Sequence, residues 1–273
     1  KITRYMGGEQ DFIAPIMTKG LNTYQFGNNA YGKPATGLNI LRETVMGREL
    51  FDYSFREYSR RWMFKHPTPE DFFRTMEDAS AVDLDWFWRG WFYTTDYTDI
   101  GVKSVKKYVV SAKPTVEGKK IATRFNRDPN SFVYFVEEGT DGYDEAMKDG
   151  SSLERISTVK EYIMDNFTPE QQKALKKSPK YFYNVTFNKP GGLVMPLIVE
   201  YVYADGSKEK ITYPAQVWRL NDKEVSKAIA SDKEIVSITV DPDLETADVD
   251  TSNNSWPKET KANAFNTFKN KVK

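Results

Sequence analysis

The sequence predicts an α+β, multidomain chain: an all-α helical part to about residue 100, then an antiparallel β-sandwich carrying a partly helical insert. Three observations predict it. Apolar residues recur at the helical 3.6-residue spacing through the first hundred positions. Near Ile100 the period changes to two, the alternation of a half-buried strand. Ala204-Asp205-Gly206-Ser207 then joins two alternating runs as a hairpin turn would.

The helices follow in order. Pro34 suits a first turn, where its missing N–H costs nothing. Leu38, Leu41 and Val45 form the stripe behind it, and Gly47 is placed to close the helix. Phe51, Phe55, Tyr58 and Trp62 mark a second helix, with Arg56, Arg60 and Arg61 off that face. In "HPTPEDFF", Thr68 is the expected N-cap, Pro69 the first helical residue, and Glu70 and Asp71 complement the helix dipole. Phe72, Phe73 and Met76 are its apolar side. The last helix, capped by Asp83, carries Trp86, Phe87, Trp88, Trp91 and Phe92 around nearly every face, which predicts burial between neighbours.

Strand candidates are "SVKKYVV", "YFYNVTF", "LVMPLIVEYVYADGSKEKITYP", "VWRL" and "IVSITV". Several short antiparallel strands over this length suggest an immunoglobulin-like sandwich. The expected domains are therefore 1–100, 101–256 with an insert at about 114–180, and a lysine-rich tail at 257–273. The front of the insert is rich in Gly, Asp and Asn. Thr168-Pro169-Glu170-Gln171 reads as a capping box opening a helix in its rear.

Composition limits the chemistry. With 39% hydrophobic and 14% aromatic residues, the chain can bury a core. Lys plus Arg equals Asp plus Glu at 39 each, so global charge recruits neither nucleic acid nor an anionic membrane. Cysteine is absent, excluding disulfides and thiol catalysis. No apolar run approaches the roughly 18 residues of a membrane span. The start at Lys1 lacks both Met and a signal-peptide apolar core, which reads as a processed protein or a cut piece.

His66 is the only histidine, with no G-x-S-x-G elbow and no H-E-x-x-H. It reads as a surface residue before a helix cap. The carboxylates Glu70-Asp71, Glu77-Asp78 and Asp83/Asp85 read as helix-start charges rather than a glycosidase pair. "DPDLETADVD" is acidic enough for calcium but lacks the EF-hand spacing, so a strand exit is expected. The aromatic run 84–93 reads as core before it reads as a sugar platform. Gly191-Gly192 reads as a turn, not a phosphate loop. Tyr31, in a loop at a helix mouth, is the candidate catalytic residue. A phenol carries its proton at neutral pH and can donate to a developing oxyanion. That role needs a partner that generates the nucleophile, and the chain offers none.

From Ala30 to Tyr93 the sequence resembles the gluzincin zinc metallopeptidases of the aminopeptidase N type. The matching pieces, in order, are Tyr31-Gly32-Lys33-Pro34-Ala35, Met46-Gly47 leading to Phe51, Tyr58 with Trp62, Thr68 leading to Asp71-Phe72, and Phe87 with Trp91. "NKPGGLVMPLIVEYVYADGS" and "ITVDPDLETADVDTSNNSWP" resemble strands of the module that follows the catalytic domain in these enzymes. The sequence departs from the family at Pro34, usually glycine, and in the long insert.

The resemblance implies a C-terminal portion: the end of a thermolysin-like catalytic domain plus the following β-sandwich. It implies aminopeptidase-like peptide hydrolysis in the intact protein, with a peptide substrate. It places the zinc ligands and general base N-terminal to Lys1, so this chain alone would be inactive and bind no zinc. The N-terminal remainder of the catalytic domain would be its partner. Tyr31 would stabilise the tetrahedral oxyanion. The chain itself holds no address; large enzymes of this kind that carry such modules are often exported in bacteria, to the periplasm or beyond. The alternatives are a non-catalytic pseudoenzyme whose β-rich half is a binding module, and a carbohydrate-binding protein.

Overall fold

A computed structural model describes residues 2–111, 113–131, 134–149 and 179–258. It is an α+β chain with two four-stranded antiparallel sheets. The expected capping box at 168–171 and the tail beyond residue 258 lie outside the described residues.

The helices are α1 (Ile2–Met6), α2 (Lys33–Ile40), α3 (Arg48–Trp62), α4 (Pro69–Ser80), α5 (Asp85–Tyr93), α6 (Val116–Arg124) and α7 (Tyr143–Asp149). The start expected at Pro34 is corrected. Helical backbone already runs from Phe26, through a π-helical turn at Asn28–Gly32, into α2 and out through a second π turn at Leu41–Val45. A proline ring clashes with the carbonyl four residues back. The wider π turn accommodates it, and Lys33 N–H bonds to Asn28 O, five residues back. Tyr31 therefore sits on a helical turn, not in a loop. Gly47 does end this stretch, at φ +81°.

α3 and α4 pack through rings. Tyr58 meets Phe72 edge-on at 4.9 Å, and the Trp62 indole donates to Thr75 Oγ1 at 3.1 Å. α4 opens on Thr68 as expected, and Asp71 makes the cap reciprocal: Asp71 N–H donates to Thr68 Oγ1, and Thr68 N–H to Asp71 Oδ2. Asp83 does not occupy the N-cap of α5, which falls on Leu84, but its carboxylate accepts from Asp85 N–H at 3.2 Å. Phe87, Trp88, Trp91 and Phe92 are buried, while Arg89 and Tyr93 face out.

The strands are β1 (Gly101–Ser111), β2 (Tyr134–Glu137), β3 (Tyr181–Asn188), β4 (Leu197–Tyr203), β5 (Lys208–Tyr213), β6 (Glu224–Ser231), β7 (Ile235–Val240) and β8 (Ser255–Trp256). One sheet runs β2-β1-β3-β6, the other β5-β4-β7-β8. Val105 pairs with Val185 and Val199 with Ile211, so alternate side chains of each strand enter the core. The Ala204–Ser207 hairpin forms, with Gly206 at φ +80°. "VWRL" is corrected: Ala215–Trp218 is a 3₁₀ turn that buries Trp218 and lets its indole donate to Met195 O at 2.9 Å. The insert adds β2 to the first sheet, and Val109, Val136, Tyr143 and Ala146 form a small second core beneath it.

The main core is continuous. It runs from Tyr5, Leu41 and Trp91 in the helices to Val185, Leu197 and Ile238 in the sheets. Residues 94–100 form the seam. Leu193 N–H bonds to Tyr97 O, Val249 N–H to Thr98 O, and Ile100 N–H to Asp248 Oδ2. A Cβ on Gly191 would lie 2.3 Å from Tyr97 O, so this approach of two backbones requires glycine.

Candidate functional site

The turn that carries Tyr31 is held from behind. Asn29 and Lys33 are four residues apart, hence on one face, and both are buried. The Asn29 amide donates to Ala14 O at 2.6 Å and to Pro15 O at 3.3 Å. Lys33 has 0% of its surface exposed, and its ammonium donates to Thr94 O at 3.0 Å. Lys33 O in turn accepts the Trp91 indole N–H at 2.9 Å. Trp91 reaches that carbonyl because residue 37 is glycine. A Cβ there would sit 2.1 Å from the indole nitrogen.

Tyr31 projects from the opposite face and is 68% exposed. Its ring meets Phe26 edge-on at 5.9 Å, and its hydroxyl makes no hydrogen bond to a described residue. Phe12, Leu21, Tyr24 and Phe26 are exposed in the same segment, with Phe12 edge-on to Tyr24 at 6.2 Å. Tyr31 lines none of the clefts beside Trp86 and Trp218, beside α1, or between α4 and α5.

Burial pushes the Lys33 ammonium down to about 8, and the Asp96 carboxylate works against that shift. Lys189 lies in the same seam with its ammonium on Gly191 O and Gly192 O. Burial lowers it too, against Asp222 and Asp96. Asp96 thus faces two buried cations.

The other candidates have structural partners. His66 is exposed on the loop between α3 and α4. Asp71 caps α4, Glu70 accepts from the Tyr93 hydroxyl, Glu77 accepts from Leu84 N–H, and Asp78 pairs with Arg61 at 3.3 Å. The acidic stretch 241–250 folds as tight turns. Asp241 accepts from Glu245 N–H and from the Thr246 N–H and hydroxyl, and Asp248 accepts from Asp250 N–H. Asp248 is raised to about 6 by burial, against its hydrogen bonds to Ile100 and Asp250. Among the described residues, no three His, Asp or Glu side chains converge as a metal ion would require. Four rings of α5 are core residues, with Phe87 parallel to Trp91 at 5.9 Å and Trp88 stacked on Phe73 at 4.6 Å, while Trp86 is half-buried in the cleft beside Trp218 and Tyr93 is exposed.

Tyr31 is legible in the sequence, and its support is not. Asn29 and Lys33 flank it at helical spacing, and that spacing was the available signal. A lysine ordinarily reads as solvated, however.

No protein-family model matches the sequence, and no curated protein matches it. Among solved structures, the aminopeptidase A of Legionella pneumophila, in complex with aspartic acid, is similar with a TM-score of 0.43 and 10% identity. The match covers 81% of this chain and 17% of that one, so this chain spans less than two thirds of that protein's length. Similarity that low assigns no residue of this chain a role.

Proposed function

We propose that this chain is the C-terminal portion of a gluzincin zinc aminopeptidase-like enzyme, in which Tyr31 donates a hydrogen bond to the oxyanion of peptide hydrolysis. Residues 1–100 would close the thermolysin-like catalytic domain. Residues 101–256 would be the immunoglobulin-like sandwich behind it. The observation that carries the reading is the mounting of Tyr31: an exposed phenol on a helical turn that two buried polar side chains clamp from behind. A donor that must meet charge only as it develops gains most from such rigidity. The ordered resemblance from Tyr31 to Trp91 supports the same reading.

The zinc ligands and the general base are expected N-terminal to Lys1. The described residues offer no group that fits the metal. What this chain's own residues would contribute is the Tyr31 hydrogen bond and its support from Asn29, Lys33 and Trp91. The exposed rings of Phe12, Tyr24 and Phe26 around Tyr31 support a neighbour packed on that face, namely the rest of the catalytic domain.

The test is Tyr31→Phe in the intact protein. Loss of one oxyanion donor lowers kcat by about 10²–10³. KM and zinc content should stay near those of the parent. Turnover equal to the parent would remove Tyr31 from the chemistry.

A further inference from the structure

We propose that two Asp–Asn side-chain pairs, Asp99 with Asn253 and Asp248 with Asn254, form a latch that acid closes between the 94–100 seam and the segment leading into β8. Each pair already makes one of its two possible hydrogen bonds. The Asn253 amide donates to Asp99 Oδ1 at 2.7 Å, and the Asn254 amide reaches Asp248 Oδ2 at 3.5 Å. Asp248 also ties the two segments through the main chain. Its Oδ2 accepts from Ile100 N–H at 3.1 Å and its Oδ1 from Asp250 N–H at 2.9 Å.

The second bond of each pair needs a donor. The Oδ1 atoms of Asn253 and Asn254 are both buried, and neither accepts a hydrogen bond from a described residue. Turning the Asn254 amide over does not cure this, because its Nδ2 also donates to Val240 O at 3.2 Å. An ionised carboxylate only accepts, so it cannot serve the amide oxygen; a protonated one can. Its O–H donates to the amide oxygen while its other oxygen keeps the amide N–H. Acid and amide then close a ring of two hydrogen bonds, and a costly unpaired acceptor is satisfied. The only atom that changes hands is a proton from solvent.

The surroundings favour that proton. Asp99 is 8% exposed and Asp248 6%. Burial is the main cause that lifts each carboxyl above its ordinary value. The Asp250 charge adds to the rise of Asp99, and the Asp99 charge to that of Asp248, which reaches about 6. From α1, Arg4 lines the same cleft as Asp99 and Asp250, as does Tyr97, but neither side chain bonds to Asp99 or Asp248. The folded value of Asp248 lies above its unfolded one. The latch therefore contributes fully below about pH 4, and the contribution is lost as pH rises through about 6.

The test is amide hydrogen exchange of Val249 in the full chain, because its N–H bonds to Thr98 O beside both pairs. Exchange is followed from about pH 4.5 to 7.5, corrected for the intrinsic rate and read against the Val199 amide in central strand β4. Relative protection of Val249 should fall by roughly tenfold to a hundredfold across that range, the upper figure being the ratio set by a rise from 3.8 to about 6. Asp248→Asn carries its N–H donor at every pH, so Val249 should stay near the parent's acid level at pH 7.5. Asp99→Asn should act in the same direction, and keeps the test open if the first variant does not fold. Relative protection that ignores pH in the parent overturns the inference. So does a folded Asn variant that keeps the parent's pH dependence or is less protected than the parent at pH 7.5. Calcium at about millimolar concentration restoring protection at pH 7.5 would overturn it too, since the carboxylates would then take a cation in place of the proton. The readout is local stability without turnover, so it stands or falls independently of the peptidase reading.

Discussion

Lys33 sits with its whole side chain out of water, on the back of the turn that presents Tyr31. Its ammonium falls from 10.5 to about 8 because burial disfavours the charge. Below pH 8 the lysine is protonated in both the folded and unfolded chain, and the folded state carries the full cost of the buried charge. Between pH 8 and 10.5 the unfolded chain holds more protons on this group than the folded one. Stability therefore rises with pH across that window, by about 3 kcal/mol from this group alone. Lys33→Met removes that rise. The difference in unfolding free energy between parent and variant, followed by urea denaturation from pH 8 to 10.5, should shift toward the parent by that order. A pH-independent difference would show that Lys33 titrates normally. At this scale the sequence was half legible. Tyr31 stood out because packing did not account for it. Lys33 did not stand out, because its slot is built by Thr94 and Trp91, about sixty residues away in the chain.

The helices were legible because their apolar spacing, caps and terminal glycine agree with one another. Thr68 with Asp71, and the stripe from Phe51, needed no tertiary information. What the sequence concealed was how elements meet. Pro34 reads as a helix start, yet a π turn carries the helix through it. "VWRL" alternates like a strand, yet Trp218 turns into the core and its indole finds Met195 O. β6, "EVSKAIAS", was missed because its alanines and serines carry little strand preference; its pairing with β3 defines it. The approach of α2 to α5 depends on Gly37. Gly37→Ala would gain about 1 kcal/mol of helix propensity. It would also push Trp91 off its bond to Lys33 O, at about 1–3 kcal/mol for overpacking and about 1 kcal/mol for the hydrogen bond. The expected net loss is about 1–3 kcal/mol, read as a lower urea midpoint at unchanged slope. A raised midpoint would mean that the indole has room to move.

Across the whole molecule, one apolar core joins the helices to both sheets, and the 94–100 seam is tied to the 191–193 and 248–249 segments. The sequence marked the change of period at Ile100, which suits a boundary between parts. It could not show that Trp91, Leu193 and Val199 are buried in the same cluster, because contacts between distant segments leave no local pattern. Denaturation followed by tryptophan fluorescence, weighted toward the helices, and by far-UV dichroism, weighted toward the whole backbone, should give coincident midpoints. Separate midpoints would divide the chain near residue 100. The helical end of this core gives Tyr31 its fixed position, and that position is the basis of the proposed role. The most direct measurement is turnover of a peptide substrate by the intact protein carrying Tyr31→Phe, with zinc content and fold checked alongside. The account predicts kcat lower by about 10²–10³ with KM and zinc retained. Unaltered turnover by a folded, zinc-loaded variant would contradict it.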